Sequence, residues 1–485
     1  MGKIIQNVFR FQTNHGIVKS GGTFDMKNIY LLKYSVKGIK TLDELVSLSF
    51  YKKIIPQNPD TQEYNIKAIY GMNGTGKSAI VCSVEILKNL FSNEDYLANP
   101  LAQKKLDALI NKKTNELFIE VDYLYRYDND QLFQFCYTVT VSRNFSGKYV
   151  ISYEKLESKK ATSKSDKMST IFEIQNGELV YIERKDEDED FVELLTGKTV
   201  NLLTNSSMTC LFMNRIVTNV IIENKMTYRR KELFNKLLSV GVLGLNLHAY
   251  MDQHDYHKEY LIDEPVRIWG SNFEINPLNL KNYLLMNIDG LNEVKVSENY
   301  VLKDSYEQFK KEVEELYGFL HIFKPDLKNI EIDRKENKDF WLCDLIMVYD
   351  DYKVHAEFES TGIKKLIRLF TYLQKMVRGE IVFIDEFDSN LHDVYLCAIL
   401  EYLMEHGKGQ LCFTTHNVGP MDVLRRRKKS IDFLSENHKI YPWTANGNYS
   451  PAKLYRNGMI EGSPFNVDSI DFIGVFDSDE EDESR

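Results

Sequence analysis

Gly71-Met72-Asn73-Gly74-Thr75-Gly76-Lys77-Ser78 decides how this chain is read. The stretch fits G-x-x-x-x-G-K-[ST] and stands between an apolar run, Tyr64–Tyr70, and an amphipathic segment from Lys77 to Phe91. Strand, glycine-rich turn and helix in that order let successive backbone N–H groups and the helix N-terminus converge on an anion. In such a cradle, lined by Asn73, Gly74, Thr75 and Gly76, the Lys77 ammonium would reach β- and γ-phosphates and the Ser78 hydroxyl would take a place on Mg2+. At ordinary residue frequencies the match arises by chance in roughly one or two chains in a hundred of this length. The flanking strand and helix make chance rarer still.

Three further stretches complete an α/β pattern. Glu380-Ile381-Val382-Phe383-Ile384-Asp385-Glu386-Phe387-Asp388 reads as a buried strand whose end presents Asp385 to Mg2+ and Glu386 to an attacking water. Leu411-Cys412-Phe413-Thr414-Thr415-His416-Asn417 is a second such strand, and a histidine just past it can hydrogen-bond a terminal phosphate. Glu359-Ser360-Thr361-Gly362-Ile363-Lys364-Lys365 opens a helix over 362–378, and the small residues Ser360 and Gly362 suit a second anion contact there. Helix 394–406 lies between the two strands.

Elsewhere, strands are expected over 29–36, 45–50 and 328–358, and an antiparallel meander over 116–157. Residues 158–169 and the acidic run Asp186–Asp190 read as solvated loops, and 205–325 as largely helical, with Tyr306–Leu316 the clearest amphipathic segment. At about 150 residues per domain, 485 residues make roughly three structural units. The expected division is 1–157 for the first part of the core with its β subdomain, 158–204 for a polar insertion and 205–327 for a mainly helical one. Residues 328–476 form the second part of the core and 477–485 a disordered tail.

Composition closes off several classes. With 43% hydrophobic and 27% charged residues the chain is neither disordered as a whole nor fibrous. No apolar run approaches the length of a membrane span, and no secretory leader is legible at the start. Six scattered cysteines without a C-x-x-C pair are expected as reduced thiols in a cytoplasmic protein. The net charge of −10 is half contained in Asp477–Arg485, six acids against one arginine, so bulk charge gives no indication of a broad nucleic-acid surface. Arg425–Lys429 reads as a solvated helix end. His248, His254 and His257 match no metal-spacing template and read as polar residues on a helix or loop.

Taken together and in order, these elements resemble the ABC-type ATPases: Walker A at 71–78, signature helix from Ser360, Walker B ending in Asp385 and Glu386, D-loop at Ser389-Asn390-Leu391-His392, switch histidine His416. The wording E-S-T-G-x-K-K-L, I-D-E-F-D-S-N-L-H and T-T-H-N is similar to the stand-alone, SMC- and OLD-like bacterial ATPases of phage defence, among them abortive-infection proteins and the ATPase subunit of the PARIS system. The resemblance implies a P-loop core with an antiparallel β subdomain and a largely helical insertion. It implies ATP hydrolysis with Mg2+ in a head-to-head homodimer or a larger assembly of dimers, where Ser360 and Gly362 of one copy close on the nucleotide of the other. It also implies a phage-encoded trigger and a separate effector, such as a Toprim-type nuclease, since 69 residues after His416 are too few for a nuclease fold as well. A Q-loop glutamine does not stand out; Gln131, Gln134, Asn205 and Ser206 are the candidates. The second reading is a DNA-repair or DNA-clamp ATPase of the SMC or RecF kind, and the third a transporter subunit, for which 308 residues between Lys77 and Asp385 have no use.

Overall fold

The computed structural model describes residues 29–127, 129–183, 202–213, 228–252, 268–269, 293–336, 340–444 and 449–463. An antiparallel sheet of seven strands runs in the order β2-β1-β4-β5-β6-β7-β8. Its strands are β1 Ile29–Lys37, β2 Val46–Ser49, β4 Glu116–Arg126, β5 Leu132–Arg143, β6 Tyr149–Lys160, β7 Ser169–Gln175 and β8 Glu178–Ile182. In β4, Leu117, Ile119, Val121 and Tyr123 are buried while the residues between them are half-buried, so one face must be covered. The sheet runs past residue 157: residues 161–168 are turn and loop as expected, but β7 and β8 lie inside the segment read as polar insertion. They meet at Asn176-Gly177, with φ of 50° and 83°, the left-handed pair that a two-residue hairpin requires. The acidic run 186–190 lies outside the described residues.

The cover is a second, mostly parallel sheet, β18-β17-β3-β16-β15-β9, formed by β3 Ile66–Tyr70, β9 Leu247–Tyr250, β15 Ile381–Ile384, β16 Gln410–Thr414, β17 Ile431–Leu434 and β18 Ile440–Pro442. All but β18 run parallel. Buried on both sides, β15 is apolar throughout, while β3 and β17 bury an ion pair, Lys67 Nζ to Asp432 Oδ2 at 2.7 Å. Alternate residues serve two cores. Ile69, Ile381, Phe383 and Cys412 pack toward the antiparallel sheet and the helix α1 (Lys77–Ser92), with α2 (Pro100–Leu109) and α3 (Tyr228–Asn246) in the same layer. Ala68, Tyr70, Val382, Ile384 and Phe413 pack toward α4 (Tyr306–Phe323), α5 (Thr361–Arg378) and α6 (Asp393–His406). Gln410, 2% exposed, joins the sheets where β1 bulges: Leu31 N–H donates to its Oε1 at 2.6 Å and its Nε2 donates to Leu31 O at 3.0 Å.

A third sheet, β10-β11-β13-β12 with β14 on β13, flanks α4; its strands are β10 Ile268–Trp269, β11 Asn299–Leu302, β12 Asn329–Glu336, β13 Phe340–Val348 and β14 Lys353–His355. Segment 205–327, expected as mainly helical, thus also supplies β9 to the core sheet, beside β15, and β11 to the third sheet. Among the described residues no helix is long and apolar enough to cross a membrane, and the six cysteines form no disulfide.

One buried acid makes stability depend on pH. Glu154 on β6 is fully buried, accepts Tyr137 Oη–H at 2.9 Å and Met208 N–H at 2.8 Å, and burial pushes its carboxyl up to about 7. An unfolded glutamate titrates in the ordinary carboxylate range, so the folded form holds the proton more tightly. The folded state is favoured at low pH and loses about 3 kcal/mol of relative stability as pH rises from below 5 to above 7. Melting temperatures measured from pH 5 to pH 8.5 should fall less steeply in Glu154→Gln than in the natural chain; equal slopes would remove Glu154 as the cause.

Candidate nucleotide-binding site

The turn from β3 into α1 brings Lys77 to the carboxyl ends of the parallel strands. Gly76 caps α1 at φ 104°, and a Cβ there would stand 2.4 Å from Leu42 Cδ2, so the turn closes only with glycine. Thr41 Oγ1, from the β1–β2 connection, donates to Gly74 O at 3.2 Å and braces the loop's outer tip, where Asn73 and Gly74 are exposed. Thr75 Oγ1 donates to Met72 O at 3.0 Å, inside the loop. Lys77 is 6% exposed, and its Nζ donates to Gly71 O and Met72 O, both at 2.8 Å. Ser78, half-buried, is the next residue of α1.

Asp385 follows β15 directly and is 9% exposed. Its backbone N–H donates to Tyr250 O, which carries the β9 pairing one step further. Thr414, the last residue of β16, donates through Oγ1 to Asp385 Oδ1 at 2.6 Å and accepts Glu386 N–H on the same oxygen at 2.8 Å. One hydroxyl therefore aims the aspartate and fixes the glutamate's peptide. Glu386 sits at φ 45°, in the left-handed region that a non-glycine residue enters at a cost of about 1–3 kcal/mol. Its side chain is exposed.

The charges act on one another. Burial pushes the Lys77 ammonium down to about 8, against Asp385, Glu386 and Asp388, which pull it back up. Burial and then Lys77 lower His416 from its ordinary range, opposed by Asp388 and Asp385, so its imidazole is neutral near pH 7. Five of the groups are thus held in one electrostatic field: Lys77, Asp385, Glu386, Asp388 and His416. A buried ammonium in the field of three carboxylates suits a polyphosphate with a divalent cation. Ser78 and Asp385 offer hydroxyl and carboxylate oxygens, the donor set that Mg2+ takes together with phosphates. Among the described residues no group of three or more histidine, cysteine or acidic side chains could hold a metal by itself.

Ser360 and Gly362 stand at the start of α5, against the turn that follows Glu386. Ser360 caps α5, accepting Ile363 N–H on Oγ at 3.3 Å, and both it and Thr361 are exposed. Gly362 meets the turn after Glu386: a Cβ there would stand 2.8 Å from Asn390 O. Phe358, just before this cap, is 82% exposed.

The other expectations separate. Every member of the Arg425–Lys429 run has an acceptor within the chain: Arg425 faces Asp422, Arg426 Glu401, Arg427 and Lys428 Glu63, and Lys429 donates to Ser49 and Tyr51. His248 is on a core strand rather than on a helix or loop, buried between Lys88 and Lys375, with Nε2 2.5 Å from Glu380 Oε2; His254 and His257 lie outside the described residues. Of the Q-loop candidates, Gln134 is on β5, Gln131 just precedes it, and Ser206 donates to Glu94 O beside Asn205. Two groups escaped the sequence reading. Thr414 was legible as a hydroxyl ending an apolar strand, and Asp388 as the second acid of D-E-F-D.

Comparison with known proteins bears on the second half of the chain. A family described as "AAA domain, putative AbiEii toxin, Type IV TA system" matches residues 298–422, the stretch from β11 through α5, β15 and β16 to His416. No curated protein matches. A solved structure of the recombination mediator protein RecF-ATPrS in the RecFOR pathway is 11% identical, over 86% of this chain and 99% of that one, with a TM-score of 0.36. With the P-loop at 71–78, the matched segment gives the chain a mixed α/β, ABC-like ATPase core.

Proposed function

We propose that the chain is an ATP-hydrolysing switch. The observation that carries this reading is the geometry at the carboxyl ends of the parallel strands, where Lys77 is buried on the loop carbonyls of Gly71 and Met72 and Thr414 Oγ1 bonds both Asp385 and Glu386. In this reading the backbone of Asn73–Gly76 cradles the phosphates, Lys77 contacts the outer ones, and Ser78 and Asp385 hold Mg2+. Bound Mg2+ would neutralise charge on the phosphates. Glu386, exposed on a turn clamped by Thr414, accepts the proton of the water that adds to the γ-phosphorus as the bond to the bridging oxygen breaks. His416, neutral near pH 7, contacts the γ-phosphate and registers whether it is there.

Ser360 and Gly362 begin a helix whose cap is exposed, beside the exposed ring of Phe358, and this supports a site completed by a second copy. Each copy would close on the nucleotide of its partner, ATP favouring the closed pair and hydrolysis the open one. The motif wording and the abortive-infection description of the matched family favour a cytoplasmic sensor of phage infection that controls a separate effector, a Toprim-type nuclease or a toxin, and responds to a phage-encoded trigger.

Glu386→Gln should bind ATP with unchanged affinity, accumulate the closed dimer in size-exclusion chromatography and lose about a hundredfold or more in turnover. Normal turnover would remove Glu386 as the base. Mixing Lys77→Ala with Ser360→Arg, each inactive alone, should restore part of the hydrolysis, because a mixed dimer keeps one intact site. No restoration would sink the shared-site reading. In cells, Lys77→Ala should abolish protection against phage, and affinity purification of the natural chain should retain the product of a neighbouring gene; unimpaired protection together with no stable partner would defeat the defence role.

A further inference from the structure

We infer that Lys365 is a positioning residue for Glu386, tying the first turn of α5 to the turn that carries the general base. The inference rests on the ATPase reading above.

Lys365 is 1% exposed, which an ammonium tolerates only with partners. Its Nζ donates to Glu386 O at 2.6 Å and to Ser389 Oγ. Burial lowers its pKa, and Asp252, Asp388, Glu386 and Asp385 oppose that shift. The Glu386 carbonyl also accepts Ser389 N–H at 3.1 Å. The peptide units on both sides of Glu386 are therefore held: Thr414 takes its N–H from the β16 side, and Lys365 takes its carbonyl from the α5 side. A left-handed φ of 45° at Glu386 and one of 59° at Asn390 persist only where the surroundings over-determine them.

The clamp is mechanical as well. Lys365 lies five residues beyond the exposed cap Ser360, in the helix whose Gly362 packs on Asn390 O and whose Thr361 Oγ1 lies 3.4 Å from Asn390 Oδ1. A displacement of the cap by a partner's phosphate is transmitted to the Ser389–Asn390 turn through packing and to Glu386 through one ammonium. An apolar side chain would fill the same space and hold neither acceptor.

Lys365→Met in the full chain tests this with three readouts: turnover, affinity for a fluorescent ATP analogue, and amide hydrogen exchange over residues 386–391. The expected result is a loss of about a hundredfold in kcat, analogue affinity within about twofold, and faster exchange at Ser389 and Leu391. Ethylammonium should restore part of the turnover of Lys365→Ala. Turnover near that of the natural chain, with unchanged exchange, would overturn the inference. If Lys365→Met fails to fold, Ser389→Ala removes one acceptor without opening the core. It should show a smaller loss of the same kind, and normal turnover with normal exchange there would also overturn the inference. Should the natural chain not hydrolyse ATP, the ATPase reading fails by itself; exchange then decides, an unchanged rate in Lys365→Met removing the clamp and a raised one supporting it.

Discussion

Lys77 is an ammonium out of water with three carboxylates for company, and the rest of the core can be understood as what makes that arrangement persist. A buried charge needs hydrogen bonds as well as counter-charges. The carbonyls of Gly71 and Met72 supply them, which requires a loop curled back on the first turn of α1. That curl requires glycine at 76, and Leu42 of the β1–β2 connection closes over it. The counter-charges come from the acidic turn after β15, reaching Lys77 because β3 and β15 are both paired with β16 in parallel and end at the same edge. Gln410, at the start of that middle strand, then locks the antiparallel sheet on top.

The charged site was legible because its residue types are forced. Glycines at fixed spacing, an acid after four apolar residues and a histidine after T-T have few alternative explanations, and helices at 77–92, 361–378 and 393–406 and the strand at 410–414 lie within a residue or so of the sequence expectation. What escaped is short or masked by composition. β9 is four residues long and follows α3 without a break, so periodicity could not separate it from the helix; a buried histidine in it reads as polarity. β7 and β8 hide behind a serine- and lysine-rich stretch, although Asn176-Gly177 between S-T-I-F-E-I-Q and E-L-V-Y-I is the strongest short hairpin signal in the chain. Thr414 could be seen but not weighed, because the same hydroxyl on an exposed strand end would do nothing.

Finding His248 on β9 changes what its polarity is for. Its ring lies between Lys88 of α1 and Lys375 of α5, with Glu380 at the entry to β15. Burial and the two ammoniums drive it far below its ordinary range, so it is a neutral ring between cations and a carboxylate. This network stands at the opposite end of the strands from Lys77. The helix that begins at the phosphate loop and the helix that begins at Ser360 therefore meet there, through one imidazole on the strand between them.

α5 is consequently held at two levels: Lys365 near its start, on the Glu386 turn, and Lys375 near its end, on His248 and through it on α1. A helix fixed by polar bonds at both ends and packed along one face moves as a rigid rod, because cores resist continuous deformation. Its free part is the exposed cap at Ser360. Under the proposed reading, a partner's phosphate at that cap would act on the Glu386 turn through Lys365 and on α1 through Lys375 and His248.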